Sequence, residues 1–126
     1  MILLDTSLLI EAWSSRRAAL PDVRRAIVQG EQFLLSSVVL YEWLRGPRTS
    51  SEILEQEQIL PSADAIPFGP TEASLAADIY RAVKRARSRE IDIAIAATAI
   101  RHNAKLWTLN PADFADIPGL TLYKPR

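Results

Sequence analysis

Short apolar runs alternate with helix-patterned stretches along this chain, and that alternation restricts the fold more than any other feature. Residues 2–5 ("ILLD"), 32–37 ("QFLLSS") and 105–109 ("KLWTL") are too short for helices and apolar enough to be buried, so they read as strands. Weaker strand signals stand at 65–68 ("AIPF"), where Pro67 argues for an edge, and at 120–123 ("LTLY"), also an edge. The intervening stretches carry helix punctuation. "SLLIEAW" follows the first strand, and 21–30 opens on Pro-Asp and closes on Gly30. Residues 37–46 offer Ser37 as N-cap and Gly46–Pro47 as stop, and 51–60 is helical by composition. Residues 70–87 place Leu75, Ile79 and Val83 at helical spacing. A last helix is expected from near Glu90 to Asn103, with Ile93, Ala96, Ala97 and Ile100 as its apolar stripe. Strands alternating with helices give an α/β domain with a mostly parallel sheet.

Size and composition fit this reading. A chain of 126 residues with 48% hydrophobic content can build one core, and no linker or repeat divides it. Residues 1–126 are therefore expected to form a single domain. The absence of cysteine excludes a disulfide framework and thiolate chemistry, and it favours a cytoplasmic setting. Asp5 interrupts the apolar N-terminus and no basic segment precedes it, so neither a signal peptide nor a spanning helix is expected there. Fifteen basic residues balance 15 acidic ones, which does not suggest a general nucleic-acid binder. The cations are nevertheless clustered. Residues 81–89 ("RAVKRARSR") hold five and no acid, and Arg45 and Arg48 add two more. The run is either a solvated helix face or a phosphate-binding rim.

Ligand sites in such folds lie at the carboxyl ends of the strands. Four acids fall at such points or at helix starts: Asp5, Glu42, Asp92 and Asp113. Each alone has an ordinary explanation, as a helix cap, a dipole partner, or for Glu42 a salt bridge with Arg45. Together they are harder to explain that way. Converged carboxylates raise each other's pKa unless a cation neutralises them. An oxygen-rich, cysteine-free cluster suits Mg²⁺ or Mn²⁺. Thr6, Ser7, Thr108 and Asn110 stand beside the acids and are placed to orient carboxylates or water.

The segments "ILLDTSLLIEA", "LYEWLRG", "IDIAIAATAI" and "LWTLNPADF", in this order, resemble the PIN-domain ribonucleases, and among them the VapC-like toxins of bacterial toxin–antitoxin pairs. The resemblance spans essentially the whole chain. It implies a three-layer PIN-like α/β fold, with a mostly parallel central sheet of four to five strands flanked by helices. It also implies an Mg²⁺- or Mn²⁺-dependent endonuclease acting on RNA, a homodimer, and a cognate VapB-like antitoxin that covers the site. By this likeness Asp5, Glu42, Asp92 and Asp113 correspond to the family's acids, and Thr108 and Asn110 match its "T-x-N-x-x-D-F" stretch. The connection "RARSRE" is shorter than in many relatives and lacks their glycine, which would alter the groove wall.

The expected chemistry is metal-assisted hydrolysis. Asp5, Asp92 and Asp113 are expected to hold one or two ions, directly or through waters, Glu42 completes the cluster as ligand or base, and Arg45, Arg81, Lys84, Arg85 and Arg89 are candidates for gripping RNA phosphates. Two rivals are an aspartyl-phosphate phosphohydrolase, for which Ser7 stands where a second Asp is wanted, and a non-catalytic binding module. Glu90 is left open between touching the metal, capping its helix and pairing with Arg87 or Arg89, with capping or pairing favoured. His102 sits at a helix C-terminus, where a cation is favourable. Trp13, Trp43 and Trp107 read as core or interface, with Tyr41 and Trp43 as candidates for lining a dimer or antitoxin groove. Asp64, Asp78 and Asp116 read as surface.

Overall fold

A computed structural model describes residues 1–14 and 16–126. Three parallel strands form the sheet: β1 (Ile2–Leu4), β2 (Phe33–Leu34) and β3 (Lys105–Trp107), in the order β2-β1-β3. Ile2 lies opposite both Phe33 and Lys105, and Leu4 opposite Trp107. The central strand is buried along its whole length, which is why its sequence is an unbroken apolar run.

The two weaker strands expected at 65–68 and 120–123 do not form, so the sheet has three strands rather than four or five. Each is reduced to a single parallel bridge, Ser36 with Ile66 and Leu106 with Leu122. Ile66 donates to the Leu35 carbonyl (2.8 Å) and accepts from Ser37 N–H (2.8 Å). Pro67 then offers no donor, and the Phe68 N–H turns to the Ser37 hydroxyl (3.2 Å), which ends the ladder. On the other side Leu106 donates to Thr121 (2.9 Å) and accepts from Tyr123 (2.7 Å), and Pro125 prevents extension.

Among the described residues six helices flank the sheet: α1 (Thr6–Trp13), α2 (Leu20–Val28), α3 (Ser37–Arg45), α4 (Ser50–Ile59), α5 (Pro70–Ala82) and α6 (Glu90–Arg101). The cap of α3 is Ser36, one residue earlier than expected, and its hydroxyl accepts from Val39 N–H at 3.0 Å. Helix α4 closes its start with a reciprocal capping box between Thr49 and Glu52.

The helix expected over 70–87 stops at Ala82. Val83 is extended, Arg85 is left-handed with φ 53°, and a 3-10 turn, Ala86–Arg89, leads into α6. A continuous helix would stack Arg81, Arg85 and Arg89 at successive (i, i+4) spacings, where like charges repel. Breaking the helix separates them and turns Ala86 inward.

The core lies between sheet and helices. Leu3, Leu4, Leu8, Leu9, Trp43, Ile95 and Leu106 have no exposed surface. Helix α6 is the central buried helix, packed against α5, α3 and β3. Ile93, Ala96 and Ala97 of its expected stripe are buried, joined by Ile95 and Ala99. All three tryptophans belong to this core. Trp43 therefore does not line an outer groove: its Nε1–H donates to the buried Gln56 (3.2 Å) and Arg48 lies over its ring at 4.3 Å. Tyr41, on the same helix, is exposed. No helix among the described residues is long and apolar enough to cross a membrane.

Candidate active site

Parallel pairing brings the ends of β1 and β3 to one edge, where α1 and the 110–117 segment depart. Asp5 stands there, at the N-cap position of α1, yet its side chain caps nothing. Its Oδ2 accepts instead from the hydroxyls of Ser7 (2.9 Å) and Thr108 (2.7 Å). Both hydroxyls are themselves fixed by backbone donors, Ser7 by Leu109 N–H (3.1 Å) and Thr108 by Asn110 N–H (3.0 Å). Each hydroxyl proton is thus turned toward Asp5. Asp5 is 6% exposed, its carboxylate is held by one oxygen, and its Oδ1 has no hydrogen-bond partner among the described residues.

Glu42 is reached from the other side of α1. Thr6 donates to its Oε1 at 2.6 Å, and Arg45 sits at 3.3 Å from Oε2, the (i, i+3) pair expected from sequence. The Glu42 side chain is 17% exposed and Arg45 53%, so the acid is anchored within the protein while its cation stays in solvent.

Asp92 lies in the first turn of α6, half-buried and without a protein hydrogen-bond partner among the described residues. Its pKa is pushed up to about 6, first by burial, then by the negative charges of Asp5, Asp113 and Glu42, against a smaller opposing effect of Arg89. The three other acids therefore all act on this one carboxyl. Asp113, which closes a 3-10 turn at Pro111–Asp113, is exposed. Together with Arg85, Ser88, Arg89, Asp92, Ala112 and Asp116 it lines a polar cavity of about 310 Å³.

Asp116 is exposed, as expected, yet it also lines the cavity. It receives a two-pronged ion pair from Arg89, Nη2 to Oδ1 at 2.6 Å and Nη1 to Oδ2 at 2.9 Å, which holds its carboxyl below the ordinary range. No local signal marks it, because its partner is 27 residues away.

The basic candidates divide accordingly. Arg85 lines the cavity, whereas Arg45 pairs with Glu42, Arg81 with Asp78 (2.6 Å) and Arg89 with Asp116. The Lys84 side chain is exposed, and its carbonyl accepts from Arg89. Glu90 neither caps α6 nor pairs with a neighbouring arginine: Arg89 occupies the N-cap position, and Glu90 lines a separate apolar groove with Phe68, Tyr80 and Ile93. It still stands in the first turn, where an acid suits the helix dipole. His102 is tied at 3.1 Å to Glu72, joining the end of α6 to the start of α5.

Among the described residues no group of three or more His, Cys, Asp or Glu side chains is arranged to hold a metal ion. Mg²⁺ does not require such a group, since it takes one or two carboxylates, keeps several waters and seldom sits in an all-protein cage. The donor set is entirely oxygen, and the burial and like charges that raise the Asp92 carboxyl are what a divalent cation would offset.

Residues 2–120 match the family described as PIN domain. No curated protein matches the chain by sequence. Among solved structures, VapBC2 from Rickettsia felis bound to a promoter DNA fragment is 21% identical, with 98% of each chain covered and a TM-score of 0.74. DNA-bound VapBC from Salmonella typhimurium is also 21% identical, covering 97% of this chain and 96% of that one, with a TM-score of 0.74. A toxin–antitoxin complex from Klebsiella pneumoniae is 26% identical over 98% of this chain and 99% of that one, with a TM-score of 0.68.

Proposed function

This chain belongs to the PIN-domain family, and from that premise we propose that it is an Mg²⁺- or Mn²⁺-dependent endoribonuclease, the toxin of a cytoplasmic toxin–antitoxin pair. The observation that carries the reading is Asp92, half-buried with no hydrogen-bond partner among the described residues, sharing one polar cavity with Asp113 at the sheet edge where Asp5 keeps one carboxylate oxygen unpartnered. Such an arrangement costs stability unless a cation enters it.

When bound, the ion would polarise the scissile phosphate and acidify a coordinated water. Asp92 and Asp5 would hold it, Asp5 being steadied by Ser7 and Thr108. Asp113 would complete the set from the exposed rim. Glu42, steadied by Thr6, would serve as a further ligand or as the base toward the attacking water. Asn110 positions Thr108 through its N–H and the Asp113 turn through its carbonyl, which accepts from Asp113 N–H at 3.0 Å. Arg85 meets a flanking RNA phosphate from the cavity wall.

The relatives from R. felis, S. typhimurium and K. pneumoniae support an antitoxin partner, since each was solved as a toxin–antitoxin or VapBC assembly. A homodimer is part of the same reading. An aspartyl-phosphate mechanism is disfavoured because Ser7, not a carboxylate, follows Asp5 at the second position and donates to it.

The reading is tested by incubating purified protein with single-stranded RNA and with DNA of the same sequence, in Mg²⁺ and in EDTA. RNA cleavage in Mg²⁺ alone is expected. Equal cleavage in EDTA, or cleavage of neither polymer, would overturn it.

A further inference from the structure

Arg89 is 15% exposed, unusually sheltered for an arginine in a connecting turn. All four of its Nη hydrogens are used: Nη1 donates to the Lys84 carbonyl (3.0 Å) and Asp116 Oδ2 (2.9 Å), Nη2 to the Asp113 carbonyl (2.9 Å) and Asp116 Oδ1 (2.6 Å). One guanidinium thus ties three stretches: the 83–89 connection, the turn that carries Asp113, and the turn after it. The placement is not explained by helix stability, because a cation at the N-cap of α6 opposes the helix dipole.

The segment it holds has little else to orient it. Between Asn110 and Ile117 the backbone hydrogen bonds are local: Asp113 to Asn110, Phe114 to Pro111 and Ile117 to Phe114. Phe114 and Ile117 anchor it to the core by their apolar faces, 2% and 4% exposed, and such contacts have no directionality. The fork from Arg89 supplies the direction, and it does so through the backbone of the residue whose carboxylate shares the cavity with Asp92.

We propose that Arg89 and Asp116 form a clamp that sets Asp113 against Asp92, making Arg89 a positioning residue for the metal site rather than a grip on RNA. The proposal rests on the metal-dependent reading above. Lysine cannot replace arginine here, since its single ammonium carries charge without the planar fork. RNA gripping and clamping therefore part company in the variants Arg89→Lys and Asp116→Ala. A gripping arginine tolerates lysine, and losing Asp116 would free it to bind RNA more tightly.

The test measures Mn²⁺ affinity by electron paramagnetic resonance and RNA affinity in EDTA by fluorescence anisotropy, on full-length folded protein well below its melting temperature. Both variants are expected to bind Mn²⁺ roughly 10–100-fold more weakly, the usual range for partners of ligating groups, with RNA affinity within about twofold of wild type. Mn²⁺ affinity unchanged in both variants would overturn the clamp, as would RNA affinity rising tenfold in Asp116→Ala with Mn²⁺ affinity intact. If wild type binds Mn²⁺ but cuts no RNA, the nuclease reading fails while the Mn²⁺ comparison still judges the clamp. A wild type that binds no Mn²⁺ overturns both.

Discussion

Asp5 shows how one residue can look ordinary in sequence and stand apart in three dimensions. A carboxylate after a strand and before a helix reads as an N-cap, and Asp5 occupies that position, but its Oδ2 faces Ser7 and Thr108 instead of backbone amides. The acids and hydroxyls were legible because each stands next to an element boundary. Asp116 and Arg89 were not, because nothing local in "RSRE" or "FADI" encodes a pairing across 27 residues. Ser7→Ala and Thr108→Val should each lower RNA cleavage roughly 10–100-fold, as loss of an orienting partner does, with little change in melting temperature; steady-state kinetics beside thermal denaturation reads both.

Asp92 carries a stability cost as well as a role. Its folded pKa of about 6 lies above the ordinary value, so the folded state binds the extra proton between roughly pH 4 and 6. Its contribution is therefore most favourable below that window and is lost as pH rises through it. In EDTA, Asp92→Asn should be more stable than wild type at pH 8, by on the order of 1–2 kcal/mol once the ~3 kcal/mol of a rise to about 6 is discounted for partial exposure, and no more stable at pH 4. Denaturant titration at both pH values checks the sign.

At the scale of elements, helix positions followed from apolar periodicity, while their ends depended on competition between neighbours. Ser36 and Ser37 are both good caps, and only the bridge to Ile66 decides between them, by engaging the Ser37 N–H. Ser36→Ala should cost about 1 kcal/mol and Ser37→Ala less, because Ser36 is 1% exposed and its bond is internal to the helix. Urea denaturation of both variants tests the assignment. The helix expected over 70–87 failed at Val83 for a different reason. Hydrophobic spacing continued through that residue, but the cations behind it favoured a break, and that break places Arg85 and Ser88 on the cavity wall.

Across the whole molecule, the α/β class and parallel pairing were legible because strands buried on both faces must be apolar throughout. The number of strands was not, since Pro67 and Pro125 shorten the outer segments to single bridges without erasing their apolar character. The same topology brings Asp5, Glu42 and Asp113 near enough for their charges to raise the Asp92 carboxyl. The most direct test is to incubate total cellular RNA with Mg²⁺ and either wild type or Asp92→Asn, then sequence the ends produced. Wild type is expected to leave discrete new ends that EDTA abolishes. Asp92→Asn, folded by circular dichroism, should leave them at least about a hundredfold rarer, since the loss of several kcal/mol of metal-assisted stabilisation counts tenfold per ~1.4 kcal/mol. Equal ends from both proteins would contradict the account.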